Sequence, residues 1–210
     1  MLVLLVGMAT VLLGELPVRA FESTNAQSSA TNSIWEMDVG EGFRRNALAL
    51  NVSAGYGYGL KIFGSEHHHD WWLTAAQLEW VLSDVLGEGH WYKGNWEIAF
   101  EVFGGEQVQP SRAYLVGFTP LLRYDFAVGH RVVAFVQGGT GGTFTDIRDG
   151  DLSTTFEFNL QAGVGAHYFV RDNLSVTCQA RLIHLSNASL KLPNLGVNNI
   201  TLMLGASWWF

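Results

Sequence analysis

The chain predicts an all-β fold, an eight-stranded antiparallel transmembrane β-barrel of the outer-membrane type. Three observations carry that expectation. From Ala47 onward the sequence breaks into runs of apolar and polar residues with a period of two, and no stretch has the helical period. Hydrophobic residues make up 48% of the chain and charged residues only 15%, below the roughly 25% usual in water-soluble domains. The links between runs alternate in length, with long loops gathered at one end of the strands and mostly short turns at the other.

The chain opens with MLVLLVGMATVLLGELPVRAFES. Residues 2–13 are an apolar run too short to cross a bilayer comfortably. Ala20 closes a small-residue cleavage pattern, so residues 1–20 read as a secretory signal peptide, although the usual basic start is missing. A retained helical anchor is the competing reading. Residues 21–45 form an N-terminal leader, rich in Ser, Thr and Asn as far as Asn32. Residues 46–210 make up the barrel.

Strand by strand, the alternation is explicit. The run Leu48–Tyr56 sets apolar residues against Asn51 and Ser53, and the run Trp72–Leu82 sets them against Gln77 and Glu79. Trp96, Ile98, Phe100 and Val102 oppose Asn95, Glu97 and Glu101. Tyr114, Val116, Phe118, Leu122, Tyr124 and Phe126 oppose Thr119, Arg123 and Asp125. In RVVAFVQGGTGGTF both rows are apolar or small, so that strand is ambiguous. In TTFEFNLQAGVGAHYF, Phe156, Phe158 and Leu160 alternate with Glu157, Asn159 and Gln161. Ser175, Thr177, Gln179 and Arg181 are the polar row of strand seven, and the last strand ends in SWWF. Residues 127–131 and 170–173 are tight turns, whereas 57–70, 104–112, 144–153 and 187–198 are expected to be longer loops. The 83–93 link is longer than its place at the short-turn end requires.

A water-soluble barrel of lipocalin type would invert the faces, apolar inside and polar outside. Two features oppose it. The polar rows mix Gly with Glu, Gln and Arg, which suits a narrow filled lumen. The apolar rows carry Trp, Tyr and Phe near strand ends, as membrane interfaces favour. Inside such a lumen, Arg123 and Arg181 are expected to pair with some of Glu79, Glu97, Glu101, Asp125 and Glu157, as structural ion pairs rather than as catalytic groups. A net charge of −7 argues against nucleic acid as a partner. The single cysteine, Cys178, excludes an internal disulfide and a cysteine-based metal centre.

One stretch breaks the pattern. His184 and Ser186 stand in the row of strand seven that holds Leu174, Val176, Cys178, Ala180 and Leu182, and that row faces lipid. A polar pair there is costly unless it lies near the membrane interface. With the N-terminus in the periplasm, strand seven runs outward and Ser186 lies at its outer end. A hydroxyl and an imidazole at that depth can meet an ester of a lipid that never leaves the membrane. Taken alone, SNAS and PNLG also read as turn chemistry capping a strand.

The motif HLSNA followed by PNLGVN resembles that of the outer-membrane lipid A 3-O-deacylases, the PagL-like barrels. FTPLLRYDF, HYFVRDNLSV and the aromatic C-terminus extend the similarity over roughly residues 46–210. The resemblance implies a serine esterase without cofactor or metal that removes the 3-O-linked acyl chain of lipid A in the outer membrane. Carried over, Ser186 would be the nucleophile, His184 the general base and Asn198 the residue orienting the imidazole. Asn187 and Asn194 would supply oxyanion donors, and Lys191 would meet a lipid phosphate. Two positions depart from the family pattern: Asn198 stands where a Glu is expected, and Ser189 where a Gly is usual. An amide orients a histidine but cannot match a carboxylate in stabilising imidazolium, so a working, slower esterase is expected. The implied partners are lipopolysaccharide and membrane lipids, with a homodimer left open. The alternative function is a catalytically silent barrel with a structural or adhesive role. EHHHD (66–70) reads as a hydrophilic loop tip, because successive loop residues rarely converge on one ion. The glycine-rich segment 138–144 precedes no helix, so it is no phosphate loop and is expected to ease strand curvature.

Overall fold

The computed structural model describes residues 34–35 and 43–210. The expected signal peptide and most of the leader lie outside the described residues. Eight strands follow one another: β1 (Leu48–Leu60), β2 (Asp70–Val81), β3 (Gly94–Gln109), β4 (Ala113–Ala127), β5 (Val132–Thr145), β6 (Phe156–Arg171), β7 (Leu174–Ser186) and β8 (Val197–Trp209). Each pairs antiparallel with its neighbour in sequence, and β8 closes on β1. Closure leaves no strand edge unpaired, which a lipid-embedded sheet requires.

The faces are those expected of a membrane barrel. Asn51, Glu79, Glu97, Glu101 and Arg123 are inaccessible, whereas Leu182 and Leu204 on the outer row are 51% and 64% exposed. That rules out the lipocalin arrangement. Both arginines pair inside as expected, Arg123 with Glu79 and Glu97, and Arg181 with Glu101. Glu157 takes a different partner, accepting from the Thr154 hydroxyl at 2.6 Å.

Two of the expected loops are shorter than the sequence suggested. β3 continues to Gln109 and β4 resumes at Ala113, so most of the expected 104–112 loop is strand. Gly104 and Gly105 resemble turn residues, but Gly105 serves packing: a Cβ there would stand 2.5 Å from the Leu73 side chain and 2.2 Å from the Trp72 carbonyl oxygen. β1 likewise runs on to Leu60, leaving 61–69 as the first loop. The third and fourth loops cover 146–155 and 187–196. All of these lie at the extracellular end, opposite the chain terminus and the short turns.

The lumen is apolar at both ends. Toward the termini, Ile34, Phe43, Val133, Phe169 and Trp209 form one buried cluster, with Trp35 stacked on Phe43 at 4.7 Å between ring centroids. Toward the loops, Trp71, Phe103, Ile147, Ile183, Leu185 and Val197 belong to a second. Leu185, the residue between His184 and Ser186, is therefore anchored inward, and that anchor turns its two neighbours outward.

Candidate active site

β7 presents His184 and Ser186 on the outer face, both partly buried. On β6 they lie opposite Leu160 and Phe158, and on β8 His184 lies opposite Asn198. This register brings Asn198 to the imidazole: the two residues are sequence-distant but directly cross-strand. His184 Nδ1 and Asn198 Oδ1 are 2.7 Å apart.

The orientation of that amide is fixed from its other side. Asn198 Nδ2 donates to the Ile62 carbonyl oxygen at 2.7 Å, which leaves Oδ1 as the acceptor facing the ring. His184 therefore carries its proton on Nδ1 and offers the Nε2 lone pair as a base. An amide facing the other way would have demanded the opposite tautomer, so the first loop, through Ile62, sets the protonation pattern of the site.

Successive outward residues on one strand have Cα atoms roughly 6.6–6.8 Å apart. Side chains that lean toward each other bridge that separation, and the Ser186 hydroxyl makes no hydrogen bond among the described residues. It is uncommitted and open to a partner.

The 187–196 loop is braced from within. Asn194 Oδ1 accepts the Asn187 backbone N–H at 3.0 Å. Asn187 Nδ2 donates to the Lys191 carbonyl oxygen at 2.9 Å and to the hydroxyls of Ser153 and Thr154 at 3.3 Å. Asn187 is thus turned into the loop with its amide hydrogens engaged, whereas Asn194 Nδ2 stays uncommitted among the described residues. Ala188 and Ser189 follow with φ of 55° and 62°. This is the left-handed region, where a glycine at 189 would rest at lower cost. Their N–H groups donate to nothing among the described residues. Lys191 is exposed.

Gly196 escaped the reading from sequence, although it sits inside PNLGVN. Its φ is +82°, and a Cβ there would stand 2.8 Å from His184 Cε1. The glycine is the floor against which the imidazole lies. Its N–H and that of Leu195 both donate to the Asp151 carbonyl oxygen, at 3.1 and 3.0 Å.

Behind this floor lies a second cluster. His67, His69, Asp149 and Asp151 hold their ligand atoms within 4.8 Å of one another. EHHHD supplies only alternate histidines, since His68 turns away to the Gly59 carbonyl oxygen. The two aspartates come from RDGD in the third loop, a combination that no local motif reveals. Burial pushes the Asp151 carboxyl up, but its contact with the His69 ring and hydrogen bonds from the Glu66 and His67 N–H groups and the Ser65 hydroxyl together hold it below its ordinary value.

Residues 52–207 match the family model for lipid A 3-O-deacylase (PagL). A lipid A deacylase PagL of Pseudomonas aeruginosa is 30% identical over 133 residues, covering 63% of this chain and 67% of that protein. The crystal structure of the outer-membrane enzyme PagL superposes with a TM-score of 0.57 at 21% identity, over 74% of this chain and 97% of that one. Neisserial surface protein A gives 0.59 at 14% identity, over 78% and 97%, a likeness of fold alone. With the family model reaching from the first strand to the last, the chain belongs to the lipid A 3-O-deacylase (PagL) family of ester hydrolases and resides in the outer membrane of a Gram-negative bacterium.

Proposed function

We propose that this protein removes the 3-O-linked acyl chain of lipid A with Ser186 as nucleophile, His184 as general base and Asn198 as the group that orients the imidazole. The observation that carries the reading is the hydrogen bond from His184 Nδ1 to an amide oxygen whose direction Ile62 fixes, on the lipid-facing side of β7. His184 Nε2 takes the Ser186 proton as Oγ attacks the ester carbonyl carbon. The tetrahedral oxyanion forms at the start of the 187–196 loop, where the N–H groups of Ala188 and Ser189 and the Asn194 amide are free to donate. Collapse expels the sugar alkoxide, which takes the proton from His184. Water, activated by the same base, then adds to the acyl-enzyme carbonyl and releases the fatty acid. Lys191, in the same loop, offers a cation to a lipid phosphate, and the exposed Leu190 and Leu192 offer apolar surface to acyl chains.

Mass spectrometry of lipid A from a heterologous Gram-negative host tests this reading. Expression of the protein is expected to remove one 3-hydroxyacyl chain. Unchanged lipid A with folded protein in the membrane favours the silent barrel, and fatty acid released from phospholipid instead moves the substrate.

Two substitutions probe the support of the imidazole. Asn198→Leu removes the acceptor 2.7 Å from Nδ1 and is expected to lower kcat on the order of 10²-fold, with KM little changed. Gly196→Ala adds a methyl group 2.8 Å from the ring at a φ of +82°. A displaced base costs about 10²-fold in rate, and a barrel with unaltered heat-modifiable mobility on gels shows that the fold survives. Wild-type turnover in either variant would mean that the ring is held by something else.

A further inference from the structure

We infer that His67, His69, Asp149 and Asp151 form a binding site for one divalent cation of the zinc type, which ties the first and third extracellular loops together. The donor set mixes two imidazoles with two carboxylates, the chemistry that suits Zn²⁺ better than the all-oxygen shell of Ca²⁺. Nitrogen and oxygen ligands about 2.0–2.1 Å from one ion lie roughly 3.0–3.4 Å from each other. His69 Nε2 and Asp151 Oδ2 are 2.8 Å apart and His67 Nδ1 and Asp151 Oδ2 3.4 Å, and one ligand atom of each of the four residues lies within 4.8 Å of the others. Small side-chain adjustments bring one atom of each residue into a single coordination sphere.

Two further observations point to a cation. Both oxygens of Asp149, and Nδ1 of His67, are shielded from water without a hydrogen-bond partner. Leaving a carboxylate so placed is expensive unless a positive charge meets it. The second is the tautomer of His69, a fully buried ring. Gln107 Nε2 donates to the Ser111 carbonyl oxygen, so Gln107 Oε1 faces His69 Nδ1 at 2.8 Å and that nitrogen must carry a proton. Nε2 then points its lone pair at a carboxylate oxygen 2.8 Å away. That contact is repulsive unless a metal ion lies beside both atoms or a second proton makes the ring an imidazolium. A ring nitrogen steadied by an amide oxygen while its partner nitrogen faces the ion is the usual support for a metal-binding histidine.

The site bears on the esterase through the backbone. The Asp151 carbonyl oxygen holds the N–H groups of Leu195 and Gly196, and Gly196 lies against His184. Ile62, whose carbonyl oxygen sets the Asn198 amide, belongs to the loop that carries His67 and His69. Binding of the ion does not depend on the proposed esterase chemistry, and its test measures metal alone.

Folded protein in detergent micelles, stripped with a chelator, is titrated with Zn²⁺ and with Co²⁺, alongside His67→Ala and Asp149→Asn. Both positions lie in loops, and heat-modifiable mobility verifies that each variant forms the barrel. Wild type is expected to bind one Zn²⁺ per chain and to give a tetrahedral Co²⁺ spectrum. Each variant is expected to lose at least the about 10–100-fold in affinity that removal of an outer-shell partner costs. Tryptic cleavage after Lys61 and Arg148 is expected to slow with Zn²⁺ in the wild type only. No stoichiometric Zn²⁺ on the wild type, or unchanged affinity in either variant, would overturn the inference. Stoichiometric binding with unchanged tryptic cleavage would overturn the bracing of the loops.

Discussion

Ser186→Ala is expected to lower ester hydrolysis by about 10³-fold or more while the barrel folds as before. The hydroxyl makes no hydrogen bond among the described residues, so its loss removes no support from β7. The neighbours that anchor this strand, Ile183 and Leu185, point into the lumen and are untouched. Function and stability are therefore separable at this position. A fluorophosphonate probe gives a readout independent of the lipid: an activated Ser186 forms an Oγ–P bond and expels fluoride, so wild type is labelled and Ser186→Ala is not. His184→Ala is expected to abolish labelling as well, because the hydroxyl then has no base. The double variant is expected to be no slower than either single one, since nucleophile and base act as a unit. Labelling that persists in Ser186→Ala would place the nucleophile elsewhere.

The barrel was legible because a membrane strand shows its two solvents directly. Glu97, Glu101 and Arg123 alternate with Ile98, Phe100 and Leu122, and the structure separates these rows into lumen and lipid face. Strand ends were less legible. At the outer end both rows turn apolar, as Leu73, Phe103 and Leu115 join the cluster that fills the mouth, so the period-two signal fades where the loops begin. Gly105 then falls in an expected loop, although it serves close packing on Trp72 and Leu73.

The reactive pair was visible as two polar residues in an apolar row, and the resemblance of HLSNA supplied their roles. The reach of Asn198 to His184 depends on the β7–β8 register, which spacing along the chain does not fix. The Ile62 and Asp151 carbonyls were invisible, because a backbone oxygen belongs to every residue and only the fold selects which ones matter. The His/Asp cluster was missed for a related reason. His67 and His69 were weighed within their own loop, and the ligands that complete the set come from a loop some 80 positions on, as the 82-residue separation of His69 and Asp151 shows.

Arg123→Ala is expected to be the most damaging change to folding, because it strips the counter-charge from a sealed lumen. Arg123 Nη1 donates to Glu79 Oε1 at 2.7 Å and to Glu97 Oε1 at 2.8 Å. Nη2 donates to Gln77 Oε1 and Gln137 Oε1 at 3.1 and 3.0 Å, and the guanidinium lies 4.3 Å from the centroid of the Phe135 ring. Glu79, Glu97 and neighbouring Asp125 are all inaccessible. With the arginine gone, these carboxylates face one another with no counter-charge between them. Breaking one side of a buried ion cluster costs about 3–5 kcal/mol. That loss is expected to lower the urea midpoint of the folded, heat-modifiable band in lipid vesicles. The same argument predicts its own rescue: combining Arg123→Leu with Glu79→Gln, Glu97→Gln and Asp125→Asn removes the unpaired charges, and replacing a whole buried cluster by neutral groups is often neutral or stabilising. A quadruple variant no more stable than Arg123→Ala would show that the guanidinium acts through its packing on Phe135 and its hydrogen bonds to the glutamines, rather than through charge.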